Sequence, residues 1–172
     1  FDSTAALFPY FKTCAIIGRN TSHCSPEETF TALRQPGKLA ETAMLAATHG
    51  VNTHKGAIFT VGILCAALGR LSRRSWSEPK ALLSECAAMT RGLTARELEG
   101  LTAETAVTAG QKLYVDYGIT GVRGQLEAGL PTVLSHGLPA LEQALAAGCS
   151  KDEAGCAALL ALMSVTPDTN LM

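Results

Sequence analysis

The sequence of 172 residues is 47% hydrophobic and carries a formal net charge of −1. This near-neutral charge excludes a generally basic nucleic-acid binder and an acidic solvating tail. A membrane-spanning helix needs about 20 apolar residues, and no uncharged run of the sequence is that long. Ala and Leu supply 50 residues, whereas Val and Ile supply 12. Because helix formers outnumber β-branched residues so strongly, the composition predicts an all-α fold.

The first part of the chain predicts two helices separated by a polar loop. Apolar residues at helical spacing predict a helix over residues 2–17 that ends at Gly18. Ser25, with Glu28 three residues later, is typical of a capping box at the start of the next helix. Pro36, followed by a glycine, is expected to end that helix.

The middle of the chain predicts three more helices and a further helix start. Residues 39–48 are helical by composition. Residues 57–69 carry no charge and predict a fully buried helix. Residues 77–91 place apolar side chains on one face, and Thr94 with Glu97 is typical of another capping box.

The last third predicts the remaining helices. Residues 105–117 predict a helix, and the glycine-rich residues 118–131 follow it. Another helix is predicted over 138–145, and Ser150 starts a last one that is apolar nearly all round and is therefore expected to be central. The whole pattern predicts about eight helices, no strand, and one compact helical domain over residues 1–172 with a central buried apolar helix.

The cysteine pattern indicates the cellular compartment of the protein. The six cysteines form no C-x-x-C pair and match no zinc or disulfide pattern. Most of them lie in apolar helical stretches, where a free cysteine behaves as a small hydrophobic residue. Since the start of the chain also lacks a signal-peptide pattern, we expect a cytoplasmic protein.

One polar segment leads directly into the uncharged helix. Thr53, His54 and Lys55 are expected at or near the N-terminus of that helix. There, backbone N–H groups, the helix dipole and a lysine together favour an anion such as phosphate. The alternative is a helix cap with an exposed lysine and an exposed histidine.

Two later segments are also candidates. Arg123 lies between two glycines in residues 120–129, and a guanidinium held close to the backbone can grip phosphate in a fork. The alternative there is a glycine-rich turn between helices. The third candidate is Asp168-Thr169-Asn170, for which the alternative is an Asx turn or a helix cap.

Five strings of the chain also occur together in one known family. They are Gly50-Val-Asn-Thr-His-Lys-Gly-Ala-Ile-Phe59, Arg91-Gly-Leu-Thr94, Thr108-Ala-Gly-Gln-Lys-Leu-Tyr114, Gly121-Val-Arg-Gly124 with Ala128-Gly129 and Pro131, and Asp168-Thr-Asn170. In their order and separations, across essentially the whole chain, they resemble the triphosphoribosyl-dephospho-CoA synthase family. The Asn-Thr-His-Lys-Gly string is the most specific of the five.

The resemblance implies an all-α transferase. Such an enzyme joins ATP and 3′-dephospho-CoA through attack of the 2′-hydroxyl of dephospho-CoA on the anomeric carbon of the ATP ribose, with release of adenine. The product, 2′-(5′′-triphosphoribosyl)-3′-dephospho-CoA, is the precursor of the prosthetic group on the acyl carrier protein of citrate lyase or malonate decarboxylase. Small-molecule substrates are thus implied, with no nucleic-acid or membrane partner. A homo-oligomer is left open.

The resemblance also implies roles for individual residues. A triphosphate needs cations and usually Mg²⁺, which carboxylates hold. Binding of phosphate or ribose is assigned to Asn52, Thr53, Lys55, Arg123, Gly124 and Asn170. Catalysis is assigned to His54, Glu127 and Asp168, and the last two are also the Mg²⁺ candidates.

The chain departs from the family pattern in three ways. Gln125 stands where a glutamate is common, and His49 precedes Gly50 where a small residue is usual. Family members are also longer, with a Pro-Lys-Pro-Gly-Leu-Val-Asp motif upstream and an Arg-Gly-Gly after Asp-Thr-Asn. We therefore expect the central part of a longer synthase. Two alternatives stay open: a truncated or diverged non-catalytic relative that binds nucleotide or CoA, and a different nucleotide-processing enzyme on the same scaffold.

Overall fold

The computed structural model describes residues 2–166, and this range contains helices and no strand, so the predicted all-α fold is confirmed. Contacts between residues group the chain into two compact units, one up to Leu93 and the other from Thr94. The single domain expected from the sequence stays a prediction. In the described range, no helix combines the length and the apolar character that crossing a membrane requires.

The first unit is built from long helices around α3. It contains α1 (Asp2–Asn20), α2 (Pro26–Ala47), α3 (Lys55–Arg70), a 3₁₀ turn (Arg73–Ser77) and α4 (Pro79–Met89). α3 is central in this unit because it packs against α1, α2 and α4. Ile58, Ile63 and Ala66 are buried whereas Val61 is exposed. The helix is therefore buried along one face, not fully as the sequence predicted.

Glycines let α1 and α3 approach each other closely. A Cβ added to Gly18 would overlap the backbone of Ala66, and one added to Gly69 would overlap the backbone of Ala15. The predicted end of α1 at Gly18 is wrong, since the helix continues to Asn20. Gly18 serves the contact between the two helices and does not act as a left-handed cap.

α2 is one continuous helix. Its predicted start is confirmed, because Ser25 Oγ accepts the Glu28 N–H and the Glu28 carboxylate accepts the Ser25 N–H at 2.8 Å. The predicted break at Pro36 is wrong. Leu33 and Ala40, on either side of the proline, are both buried. Burial of this continuous face offsets the one backbone hydrogen bond that a proline cannot donate.

Shorter helices make up the rest of the described chain. They are α5 (Leu93–Leu98), α6 (Ala109–Tyr117), α7 (Gly121–Glu127), a π-helical turn (Val133–Gly137), α8 (Leu138–Ala146) and α9 (Lys151–Met163). The alternative interpretation of residues 120–129 as a glycine-rich turn is wrong, because most of them form α7. Gly118, at φ 70°, ends α6 in the left-handed conformation that glycine adopts most easily.

The last helix is not central. Its predicted start is confirmed by the capping box of Ser150 with Glu153. Leu159 is 57% exposed and Leu160 is 66% exposed, however. Among the described residues, α9 packs mainly against α8 and the π-helical turn. Because its apolar residues surround the helix, packing on one side leaves others in contact with solvent.

The six thiols differ sharply in exposure. Cys14 and Cys86 are fully buried in the first unit, and desolvation raises the pKa of Cys14 to about 11 and that of Cys86 to about 12. Cys149 and Cys156, in the second unit, are exposed. The buried thiols therefore act as packing residues.

Candidate functional site

The predicted residues Asn52 to Lys55 lie together at the start of α3. Asn52 Oδ1 accepts the backbone N–H of Lys55 at 3.1 Å and so caps the first turn. Both side chains are exposed. The segment caps the helix and displays Lys55 at the positive end of a helix of 16 residues, but the exposed histidine of the helix-cap interpretation is wrong, because His54 is half-buried.

Lys55 forms an ion pair with Glu41 on α2. The Lys55 ammonium lies 3.1 Å from the Glu41 carboxylate, and the two side chains are 55% and 37% exposed. An ion pair this exposed contributes little to stability. Lys55 can therefore exchange Glu41 for another anion at a small energetic cost.

His54 is fixed by residues from three parts of the first unit. Its Nδ1 lies 3.0 Å from Ser3 Oγ and 2.9 Å from Thr53 Oγ1, and the Thr53 hydroxyl donates to Ser3 Oγ at 3.2 Å. The His54 backbone N–H donates to Met44 Sδ at 3.1 Å. We call Ser3, Met44, Thr53 and His54 the His54 cluster. Ser3 and Met44 are buried, and the imidazole is half-buried.

Arg123, on α7, forms an ion pair with α5. Its Nε donates to Glu97 Oε2 at 2.8 Å, and both side chains are about three-tenths exposed. Gly124 has a packing role here, because a Cβ at this position would overlap the Thr120 side chain. The phosphate-binding role assigned to Gly124 from the sequence stays a prediction.

Glu127 connects the same two helices. Its Oε2 accepts the backbone N–H of Thr94 at 3.0 Å and the Thr94 hydroxyl at 2.5 Å. The predicted capping box of Thr94 with Glu97 is wrong, because Glu127 supplies the cap while Glu97 pairs with Arg123. We call these four residues the α5–α7 cluster. Gln125, the departure from the family pattern, accepts the Thr132 hydroxyl at 2.9 Å.

The structure thus brings the predicted residues together in two groups, one in each unit. Asp168 and Asn170 lie outside the described residues. Within the described range, no three His, Cys, Asp or Glu side chains are arranged to hold a metal ion. An ion that arrives with a triphosphate needs only one or two protein carboxylates, because the phosphates supply further ligands.

The sequence analysis missed two residues. Ser3 lies outside all the motif strings. Arg70 reads as an ordinary cation at a helix C-terminus, but its side chain is 8% exposed and pairs with Glu85. It also donates to Thr21 O at 2.7 Å, Thr29 Oγ1 at 2.5 Å and Cys24 O at 3.1 Å. These partners lie 41 to 49 residues away in sequence, so no local spacing indicates them.

Comparison with known proteins adds the following findings. The sequence model of the CitG family, described as ATP:dephospho-CoA triphosphoribosyl transferase, matches residues 1–172. A 2-(5′′-triphosphoribosyl)-3′-dephosphocoenzyme-A synthase of Pectobacterium atrosepticum is 42% identical over 99% of this chain and 56% of its own length. A protein of Pectobacterium carotovorum subsp. carotovorum, named as a probable synthase of the same kind, is 41% identical over the same shares. The chain therefore spans about half the length of these curated relatives. No solved structure matches it.

Proposed function

Because the chain belongs to the CitG family of ATP:dephospho-CoA triphosphoribosyl transferases, we propose that the protein transfers the triphosphoribosyl group of ATP to 3′-dephospho-CoA. The family match over all 172 residues carries this proposal. The product would be 2′-(5′′-triphosphoribosyl)-3′-dephospho-CoA, for the prosthetic group of the acyl carrier protein of citrate lyase or malonate decarboxylase. A cytoplasmic location, where ATP is made and used, is part of the proposal.

The reaction defines what the side chains have to do. The 2′-hydroxyl oxygen of dephospho-CoA forms a bond to the anomeric carbon of the ATP ribose, and the bond from that carbon to adenine breaks. The hydroxyl loses a proton, and the departing adenine takes one up. The triphosphate does not react but must be held in place, because correct orientation can lower the barrier by several kcal/mol.

Lys55 and Arg123 are the cations that we propose for binding phosphate. Lys55 stands at the N-terminus of α3, and its ion pair with the partly exposed Glu41 is one that an incoming phosphate can replace. Arg123 holds Glu97 through Nε. Its two terminal amino groups form the fork that binds phosphate oxygens in pairs. We also propose that Asn52, whose Oδ1 caps α3, donates its amide N–H to the same anion as Lys55.

The proton transfers and Mg²⁺ involve the remaining candidates. We propose His54 as a proton acceptor, since an imidazole changes charge near neutral pH. Mg²⁺ would come with ATP, bound by phosphates and by the Glu127 and Asp168 carboxylates. Glu127 Oε2 already accepts two hydrogen bonds from Thr94, so metal binding there would compete with the cap of α5. Asn170 keeps its proposed substrate role from the family motif.

The first experiment measures adenine release from ATP with Mg²⁺, with and without 3′-dephospho-CoA. Release that requires dephospho-CoA supports the proposal. Release without it indicates a nucleotide glycosidase or a different acceptor. Absence of release by folded protein, with ATP binding retained in calorimetry, favours the alternative of a diverged relative that only binds nucleotide, and Gln125→Glu would then be the variant to test.

The cations are tested separately. We expect Lys55→Ala and Arg123→Ala each to weaken ATP binding by about tenfold to a hundredfold, the loss typical of a hydrogen bond between charged groups. Lys80→Ala and Arg96→Ala are matched controls, because both side chains are exposed and lie on other helices, α4 and α5. Unchanged ATP affinity in both Lys55→Ala and Arg123→Ala would disprove the phosphate assignment.

A further inference from the structure

The 3₁₀ turn that follows α3 carries an exposed aromatic side chain in a fixed position. Trp76, the one tryptophan of the sequence, is 51% exposed. Its indole N–H donates to the backbone carbonyl of Leu68, near the end of α3, at 2.9 Å. This hydrogen bond orients the ring while about half of the residue stays in contact with solvent. Trp76 is therefore available as a stacking surface.

A cation already lies over this ring. The Arg73 guanidinium is 5.9 Å from the centroid of the Trp76 ring, close to the limit of about 6 Å for such a contact. Both side chains are exposed, so the contact is weak. A nucleobase can therefore replace the guanidinium over the ring at a small energetic cost, because every base has a face that stacks on an aromatic side chain. Arg73 can then turn to a phosphate of the same ligand.

The charges around the ring favour an anion. Arg74 lies two residues before Trp76 and is exposed, as Arg73 is. Among the residues that the structure describes, neither arginine forms an ion pair. Glu78 is the single carboxylate in residues 72–79, so two arginines stand against one negative charge. Guanidinium groups beside an aromatic ring match the phosphates and the base of a nucleotide.

We propose that Trp76, Arg73 and Arg74 form a binding site for the adenosine diphosphate group that ATP and 3′-dephospho-CoA share. Adenine stacks on Trp76, and the two arginines bind the phosphates. The choice of these nucleotides rests on the proposed function. The site itself is separate from the one proposed at Lys55, because Leu68, which Trp76 contacts, lies 13 residues further along α3, or about 20 Å.

The single tryptophan allows binding to be measured at the site. Trp76 fluorescence is titrated with ADP, and separately with adenosine and with pyrophosphate, which are the two parts of the ligand. We expect ADP to quench the fluorescence. Adenosine and pyrophosphate should each bind at least about tenfold more weakly, because each makes only part of the contacts. Titrations with ATP and with 3′-dephospho-CoA then show which of the two substrates binds more tightly.

Arginine variants test the phosphate contacts. Arg73→Ala and Arg74→Ala should each raise the Kd for ADP about tenfold, the effect of losing a hydrogen bond between charged groups. Arg34→Ala is the matched control and should leave the Kd unchanged. Arg34 also lies over an aromatic ring, at 5.4 Å, but that ring belongs to Phe30, which is 7% exposed and so cannot stack with a base.

Lys55→Ala separates this site from the one at the start of α3. It should leave the ADP titration of Trp76 unchanged, even where it abolishes adenine release. Three results overturn the proposal: no quenching by any of the nucleotides, the same Kd in both arginine variants as in the wild type, or a Kd that Lys55→Ala raises as much as they do. Because the titrations need no turnover, failure of this proposal is distinguishable from failure of the proposed transferase.

Discussion

The two units hold their candidate residues by different means. In the first, long helices bury a core, α1 and α3 touch through glycines, and a serine 51 residues away fixes His54. In the second, the candidate residues lie on short helices, and side-chain hydrogen bonds such as Arg123 to Glu97 link α5 with α7. The geometry of the first site is therefore a product of packing between long helices. The geometry of the second combines the buried Leu98 and Leu126 with polar contacts between α5 and α7.

The largest expected loss is in the first unit, at Arg70. Arg70→Met leaves the half-buried Glu85 without its cation and removes the donors to the loop between α1 and α2. Because the Glu85 side chain is 21% exposed, we expect a loss of about 3 kcal/mol of unfolding free energy, the lower end of the cost of breaking a buried ion pair. Urea denaturation measures it, with the exposed Arg74→Met as control. Equal stability of the two variants would show that packing alone holds this unit together.

Gly18→Ala tests the helix contact itself. The added Cβ would overlap the Ala66 backbone, which cannot move away as a flexible side chain can. We expect a loss of about 1–3 kcal/mol, the usual effect of overpacking. The control is Gly155→Ala in α9, where no atom lies within 4 Å. That variant should gain up to about 1 kcal/mol from helix propensity. Similar changes in the free energy of unfolding for Gly18→Ala and Gly155→Ala would contradict the difference between the two units.

Thr94→Val tests the polar contacts of the second unit. The variant keeps the shape of the side chain but removes the hydroxyl that donates to Glu127. Loss of a cap interaction costs about 1 kcal/mol. Thr31→Val is the matched control, since the Thr31 hydroxyl only donates to the carbonyl of Glu27 in its own helix. Thermal denaturation that ranks the two variants equally would contradict the cap assigned to α5.

The smallest effect is a pH dependence that both units share. Backbone and hydroxyl hydrogen bonds from Ser25 and Ser150 lower the pKa of Glu28 and of Glu153 below the usual value. The stabilisation is therefore present above the pKa of an unfolded-state glutamate and is lost as the pH falls through the lower folded-state pKa. We expect Glu28→Gln and Glu153→Gln each to reduce the fall in Tm between pH 7 and pH 3. An unchanged fall in both would contradict the capping boxes.

Local sequence signals predicted much of the fold. The starts of α2 and α9 follow from Ser25 and Ser150, because a capping box involves only neighbouring residues. The helix end predicted at Pro36 was wrong, since the tertiary burial of Leu33 and Ala40 overrides a local breaker. The helix end predicted at Gly18 was wrong because of the close packing of α1 against α3. A glycine that ends a helix and a glycine that allows close packing look alike until the partner helix is known.

The sequence also predicted the position of the candidate site but not the residues that contact it. The Asn-Thr-His-Lys string indicated the start of α3, where the structure places Lys55 and its cap. The partners of these residues were not predictable, because Ser3, Met44 and Glu41 are brought to the segment only by packing. In the same way, Glu127 shares no spacing rule with Thr94, 33 residues earlier.

Because the exposed and the fully buried thiols lie in different units, the order in which they react can report on the two units separately. A maleimide dye at neutral pH should react first with Cys149 and Cys156, because only exposed thiols with an accessible thiolate react quickly. Cys14 and Cys86 would stay unlabelled until the first unit opens. A fluorophore would thus attach first to the second unit, and the half-buried Cys24 and Cys65 would follow. Late labelling of the buried pair would record the opening of the first unit in real time.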